Sequence, residues 1–237
     1  MSSSCSRAVA RLCFACLVAS PATLQAQFIG APVGLQVGLP QGEFANNVAM
    51  AGGLGGAALF GIGDFIGIRA GFDVQIYGSD TRRVPLGGGA LGLINVDVTT
   101  TNFIFGGGLG AQVGLPGPSI RPYLGGMIGF SSFTTTSSVQ GSNSDDEPFA
   151  SSNNSVDNTF AKSVYGGLYV PLGSNAMLDL GLRHTWNGES VRYLTPGDIS
   201  EDPVTGDVIL SPRNTRADLL TVTIGLVLRS TAPRNLR

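Results

Sequence analysis

Any chemistry that needs an imidazole would depend on His184, because it is the only histidine among the 237 residues. A histidine acts as a general base only when a suitable nucleophile lies within hydrogen-bond reach. Trp186, two residues further along, cannot be a nucleophile. The cysteines (Cys5, Cys13 and Cys16) all lie near the N-terminus, and no G-x-S-x-G, H-E-x-x-H or Walker motif occurs. The sequence therefore predicts no catalytic site, and we expect a protein that is not an enzyme.

Two patterns that could hold a metal or a phosphate lack the context that such sites need. Asp198, Glu201, Asp202 and Asp207 form an acidic group, but their spacing is not that of a calcium-binding loop. A solvated anionic loop is favoured over a metal site there. Glycines within 87–92 match G-x-G-x-x-G, yet no βαβ unit frames them. We predict no cofactor and no metal.

The segment 66–77, I-G-I-R-A-G-F-D-V-Q-I-Y, points instead to a membrane-spanning strand. Its even positions are all apolar, whereas its odd positions are small, charged or amphipathic. Alternation with a period of two is typical of a strand with two unlike faces. The polar face carries opposite charges, Arg69 and Asp73, one pleat apart around Gly71. This pattern favours an apolar face toward lipid and a polar face that fills the lumen of a barrel.

Seven further segments alternate well enough to be strands, although the faces of 158–172 are less clearly divided. The predicted strands are 33–39, 51–62, 66–77, 96–115, 120–134, 158–172, 176–193 and 220–228. Tight turns and longer loops follow one another in strict alternation, as they do in outer-membrane barrels with short periplasmic turns and long extracellular loops. We predict an all-β fold, an eight-stranded antiparallel up-and-down transmembrane β-barrel.

The polar faces of these strands predict a network inside the barrel. An eight-stranded barrel is just wide enough for side chains to fill, and charges buried within it need partners. The predicted members are Arg69, Asp73, Gln75, Gln112, Arg121, Asp179, Arg183 and Asp218. A structural network that plugs the lumen is favoured over a narrow gated pore, although inward glycines of the fourth strand would leave some room for water.

Aromatic side chains at the strand ends predict contacts with the membrane interface. Tryptophan and other aromatic residues gather where headgroups meet water. We assign Trp186, Phe103 and Tyr193 to such a belt, and the position of His184 beside Trp186 puts the histidine there too.

The N-terminus has the features of a secretory signal peptide. Arg7 and Arg11 precede the apolar run 12–19, and small residues continue to Ala26. Cleavage after Ala26 would leave residues 27–237 as one exported barrel domain. Removing the two leader arginines leaves 12 basic and 16 acidic residues, a net charge of −4, which argues against nucleic acid as a partner.

Short motifs give the chain a family resemblance. R-P-Y-L-G-G at 121–126, V-P-L at 170–172 and L-D-L-G-L-R at 178–183 resemble the small OmpA/OmpX-type outer-membrane β-barrels. The resemblance covers nearly all of the mature chain and implies a bacterial outer-membrane location. Family members usually end the last strand on a C-terminal aromatic residue, whereas this chain continues to Arg237. We expect no peptidoglycan-binding domain after the barrel, so the resemblance is to the barrel domain alone. His184 also resembles the strand histidine of lipid A deacylases, but Trp186 occupies the position of their serine nucleophile.

These observations support a structural or surface-interaction role in the cell envelope. We expect a monomer in contact with outer-membrane lipid or lipopolysaccharide, with surface ligands bound through the polar loops 135–157 and 195–214. The alternative is an OmpW-like passive conduit for small, possibly apolar, solutes. A soluble ligand-binding barrel is disfavoured because water would not tolerate the outward apolar stripes.

Overall fold

A computed structural model describes residues 27–62, 65–86, 94–115, 119–141, 150–173, 175–195, 198–201 and 208–229. The predicted signal peptide, the glycines within 87–92 and residues 202–207 lie outside these ranges. Among the described residues, no helix has both the length and the apolar character that a membrane crossing requires.

Eight long strands close into an antiparallel barrel, which confirms the predicted fold class. The elements are β1 (Gln27–Pro40), a 3-10 helix (Gly42–Asn46), β2 (Ala51–Ile62), β3 (Ile66–Leu86), β4 (Ile94–Gly114), β5 (Arg121–Gly141), β6 (Ala150–Pro171), β7 (Ala176–Asn187), β8 (Val191–Tyr193), β9 (Ile199–Glu201), β10 (Val208–Leu210), β11 (Arg213–Thr215) and β12 (Leu219–Arg229). Each barrel strand pairs with its neighbours in sequence, and β12 closes the barrel against β1 and β7. Closure leaves no open edge along the barrel wall, as a structure in lipid requires.

The two faces of the barrel wall differ as the alternation predicts. Outward side chains such as Leu35, Leu124 and Leu182 are exposed, whereas the inward Gln75 and Asp179 are buried, 0% and 2% exposed. The outward positions within 33–39, 52–62, 66–76, 103–115, 122–130, 160–170, 176–186 and 220–228 form a continuous apolar surface, called here the belt. A closed barrel with an apolar belt and a polar interior is the architecture of a transmembrane β-barrel.

Two hairpins continue beyond the belt, which corrects the predicted boundaries. β3 runs to Leu86 where a loop was expected after Ser79, and β5 and β6 remain paired from Thr135↔Ser155 to Val139↔Ala150. Much of the predicted loop 135–157 is therefore strand. Its threonines and serines suit a β-sheet that is polar on both faces, where hydroxyl pairs such as Thr100 with Ser137 join strands. Such a sheet shows no apolar alternation, so the pattern was missed.

The connection between β7 and β12 also differs from expectation. β7 ends at Asn187, and Tyr193 belongs to the separate strand β8, which pairs with β11. Residues 199–201 and 208–210 form another small two-stranded sheet. The segment 195–214, expected to be an acidic loop, is thus partly ordered by short strand pairs.

Candidate functional site in the filled lumen

An ion pair crosses the middle of the lumen. Nη1 of Arg183 on β7 lies 2.8 Å from Oδ1 of Asp73 on β3, and Asp73 is 7% exposed. Gly106 on β4 faces the same carboxylate, since a Cβ there would lie 3.1 Å from both Asp73 oxygens. The Asp73 side chain therefore occupies the space beside the inward Gly106. Gly106 and Gly107 also line a cavity of about 30 Å³, which is consistent with the expectation that the glycines of this strand leave some room for water.

A second layer surrounds the buried carboxylate of Asp179. The Tyr123 hydroxyl donates a 2.6 Å hydrogen bond to Oδ1 of Asp179. The Arg69 guanidinium lies 5.0 Å from the centre of the Tyr165 ring, and its Nη1 is 3.5 Å from Oε1 of Gln112. The polar groups of Arg69, Tyr123 and Asp179 thus contact side chains of other strands and are not directed at a ligand.

The remaining predicted network residues lie in three different places. The Gln75 side-chain amide nitrogen donates to Oε1 of Gln36 at 3.2 Å, on the lumen side of the wall, and so connects β3 to β1 across β2. Arg121 lies at the end of the barrel that bears the short turns, beside a cavity of about 150 Å³ that Gln112 also lines. Asp218 precedes β12, and its Oδ1 accepts a 3.2 Å hydrogen bond from the Asn187 amide.

Two small cavities flank the central ion pair. Each has a volume of about 30 Å³, the first beside Arg69 and Asp179 and the second beside Asp73 and Asn187. One water needs roughly 10–15 Å³ of cavity volume, so each cavity has room for about two or three waters and for no larger solute. Oδ1 of Asn187 and Nε of Arg183 line this space without a protein partner, and water there would satisfy them.

An aromatic plug closes the lumen at the end that bears the long loops, and sequence patterns did not predict it. Phe44 of the 3-10 helix is 0% exposed and packs against Tyr193, Tyr77 and Phe133, with ring centres 5.0, 5.8 and 6.1 Å away. Leu194 completes the cap, and its carbonyl accepts a 3.2 Å hydrogen bond from the Tyr77 hydroxyl. Phe44 is the one large apolar residue within 41–47, and this was the available signal.

Tyr193 corrects the predicted aromatic belt. Tyr193 is 1% exposed inside the plug, because the chain leaves the barrel wall after Asn187 and β8 turns the ring inward. Phe103 and Trp186 take outward positions on β4 and β7, and both are partly exposed. The His184 and Trp186 rings lie 4.4 Å apart on the outer face, away from the lumen.

Polar contacts join the segment that carries Phe44 to the segment that carries Tyr193. Nδ2 of Asn47 donates to the Tyr193 hydroxyl at 3.0 Å, and Nη1 of Arg213 donates to Oδ1 of Asn47 at 2.6 Å. Nη2 of Arg213 is 2.8 Å from the Asp198 carboxylate, which also accepts hydrogen bonds from the amide and hydroxyl of Thr195. This set of contacts, Asn47–Arg213–Asp198, is called the latch below.

Asp198 differs from the predicted solvated anionic loop because it is buried and paired. Burial alone would raise the pKa of its carboxyl, but hydrogen bonds from Arg213 and Thr195 outweigh burial and hold the pKa below its usual value. No group of three or more metal-ligating side chains occurs in the part of the chain that the structure describes. Asp198 acts there as a structural anion.

Several solved structures are similar to this chain in their overall architecture. No family model and no curated protein matches the chain. Neisserial surface protein A is 14% identical, with 85% of this chain and 97% of that chain covered and a TM-score of 0.48. Ail, the attachment invasion locus protein of Yersinia pestis, is 12% identical, with coverage of 87% and 100% and a TM-score of 0.42. Outer membrane protein W of E. coli is 14% identical, with coverage of 86% and 99% and a TM-score of 0.42. The likeness concerns the overall architecture.

Proposed function

We propose that this chain is an integral protein of a bacterial outer membrane without enzymatic activity. Its closed barrel carries a polar sheet that makes contacts at the cell surface. The carrying observation is that the lumen is filled and capped while two hairpins continue beyond the belt. A barrel built to conduct would keep a path for solute, whereas here Phe44 and Tyr193 close one end and the central ion pair spans the middle.

The polar sheet beyond the belt is the part that a surface partner would meet. β3 to β6 stay paired there as four neighbouring strands, from Ser79↔Thr101 to Val139↔Ala150. Arg83 and Asp97 pair across it with an Nε to Oδ1 distance of 2.9 Å. Hydroxyl groups and exposed ion pairs suit reversible contact with polar surfaces, such as glycans or protein loops, better than permanent burial.

The passive conduit for small, possibly apolar, solutes is the competing function, and conductance together with solute uptake by reconstituted liposomes separates the two. Purified protein refolded into planar bilayers should leave the membrane as resistive as an empty bilayer. Stable single-channel steps from the wild-type protein would contradict a closed barrel and favour the conduit.

Membrane insertion is tested first. After cell fractionation, we expect the protein in the outer membrane and a mobility difference between unheated and boiled samples on electrophoresis in mild detergent. A product extracted into buffer without detergent, with no mobility difference, would favour a soluble ligand-binding barrel instead.

A further inference from the structure

The belt contains a single interruption, and it lies on β6 and β7. Every outward belt residue on the eight barrel strands is aliphatic, aromatic, proline or glycine, apart from Lys162 and His184. Lys162 is directly paired with Trp186 in the strand register, and His184 is one pleat away on the same strand as Trp186. The three side chains therefore form one surface cluster, called here the cationic-aromatic cluster.

The composition of the chain makes this cluster unusual. Lys162 is the only lysine, His184 the only histidine and Trp186 the only tryptophan in the 237 residues. The Lys162 ammonium lies 6.0 Å from the centre of the Trp186 ring, and the His184 ring is 4.4 Å from the same ring. The other cations of the described strands lie in the lumen or beyond the belt, so the belt's one lysine lies beside its one indole.

An ammonium group on this face needs an anion that the described protein does not supply. None of the ion pairs between described residues includes Lys162. Phe160, one pleat closer to the long-loop end, is 63% exposed and still belongs to the belt. Lys162 thus lies within the upper belt, where its stem can extend along apolar surface and place the ammonium at headgroup level.

We propose that the cationic-aromatic cluster binds the phosphate group of an outer-leaflet lipid. This inference rests on the proposed membrane location and identifies a lipid partner for it. The ammonium supplies charge, and the indole and imidazole can supply N–H donors, which phosphate oxygens accept. The exposed side chains of Val164, Leu182 and Ile128 surround the cluster and offer apolar contact to acyl chains. A phosphorylated lipid satisfies both features, whereas free phosphate satisfies only the first.

The single tryptophan gives the test its readout. The protein is refolded into phosphatidylcholine vesicles that contain increasing proportions of bisphosphorylated lipid A, and Trp186 emission is recorded. We expect a saturable change for the wild-type protein and a midpoint shifted by about fivefold for Lys162→Met, since one lysine near an anionic surface contributes about that factor. Lys162→Arg should keep most of the response.

Matched controls make each outcome decisive. Arg192→Met removes one exposed positive charge outside the cluster and should leave the midpoint unchanged. Coincident curves for Lys162→Met and wild type would overturn the site. An equal response to inorganic phosphate in pure phosphatidylcholine would overturn its assignment to a lipid. Unheated and boiled samples run in parallel confirm that each variant is folded. Recovery of the wild-type protein outside the outer membrane after cell fractionation would refute the membrane location itself rather than this site.

Discussion

Asp73 and Arg183 join opposite walls of the barrel. Their strands, β3 and β7, are four strands apart in either direction around the closed sheet, yet the carboxylate and guanidinium meet at 2.8 Å. The hydrogen bonds given above between side chains of described barrel strands, such as Tyr123 to Asp179, connect strands at most two apart. The ion pair therefore fixes the full width of the barrel, which smaller contacts cannot do.

Breaking this pair from one side should be costly. Arg183→Met leaves the Asp73 carboxylate buried without its partner, and we expect the free energy of unfolding to fall by about 3–5 kcal/mol. The double variant Asp73→Leu with Arg183→Met should lose clearly less, because no charge stays buried. Urea unfolding in phosphatidylcholine vesicles measures both. Arg83→Met, which removes an exposed pair screened by water, should leave the free energy of unfolding close to that of the wild-type protein. Equal losses for the single and double variants would contradict this account.

The Tyr123 hydroxyl should contribute to stability through its hydrogen bond to Asp179, and its position should require a glycine at Gly181. Tyr123→Phe removes the hydrogen bond to a buried carboxylate and should cost about 1.5–3 kcal/mol. Gly181→Ala would place a Cβ 2.9 Å from the Tyr123 hydroxyl oxygen, so it should destabilise the wild-type protein more than the Tyr123→Phe variant. A double-mutant cycle from urea unfolding tests the coupling. Strictly additive effects would show that the hydroxyl and the glycine do not interact.

Phe44 should keep the barrel closed. Phe44→Ala removes a fully buried ring from the centre of the plug, and about 3–5 kcal/mol of stability should be lost. We also expect single-channel conductance in planar bilayers, because the ring occupies the mouth of the lumen. Phe105→Ala, on the outward face, is the control and should not conduct. A silent Phe44→Ala barrel that is otherwise folded would mean that the ion-pair layer alone blocks the lumen.

The latch should lose its effect in acid. The pKa of Asp198 is lower in the folded protein than its usual value of 3.8. A carboxyl with a depressed folded pKa adds stability that is present above the usual value and is lost as pH falls through the folded pKa. Asp198→Asn should therefore be less stable than wild type at neutral pH, and the difference should shrink below pH 3.8 and vanish once the pH has fallen through the lower folded pKa. The urea midpoints of wild type and Asp198→Asn, measured across this pH range, test this prediction. A constant difference between them at all pH values would rule out the Asp198 charge as the cause.

Local alternation was sufficient to predict the barrel but insufficient to predict its plug. Strand parity alone determines which face Asp179 or Leu182 occupies, so the faces of 176–187 followed directly from the sequence. The partner of Arg183 did not, because opposite strands meet only after closure and the nearest opposite charge to Asp73 in sequence is Arg69. Phe44 and Tyr193 are 149 positions apart, and nothing periodic marks either of them. Contacts between loops depend on closure, which period-two patterns do not describe.

The hairpin end 82–98 and the expected ligand-binding segment 195–214 should respond differently to deletion. Replacing residues 82–98 by Asn-Gly retains the Thr81↔Thr99 pair and removes the described strand ends 82–86 and 94–98, which lie beyond the belt. A two-residue turn of this type suits antiparallel strands. We expect a folded barrel without single-channel conductance and with a normal mobility difference on boiling.

Deleting 195–214 removes Asp198 and Arg213 and so breaks the latch over Phe44. That variant should remain in the membrane, conduct in planar bilayers and unfold at lower urea concentration. If the shortened hairpin also conducts, the sheet beyond the belt helps to close the lumen, and the division between display surface and plug fails. If the 195–214 deletion stays silent, Phe44 holds its position without the latch.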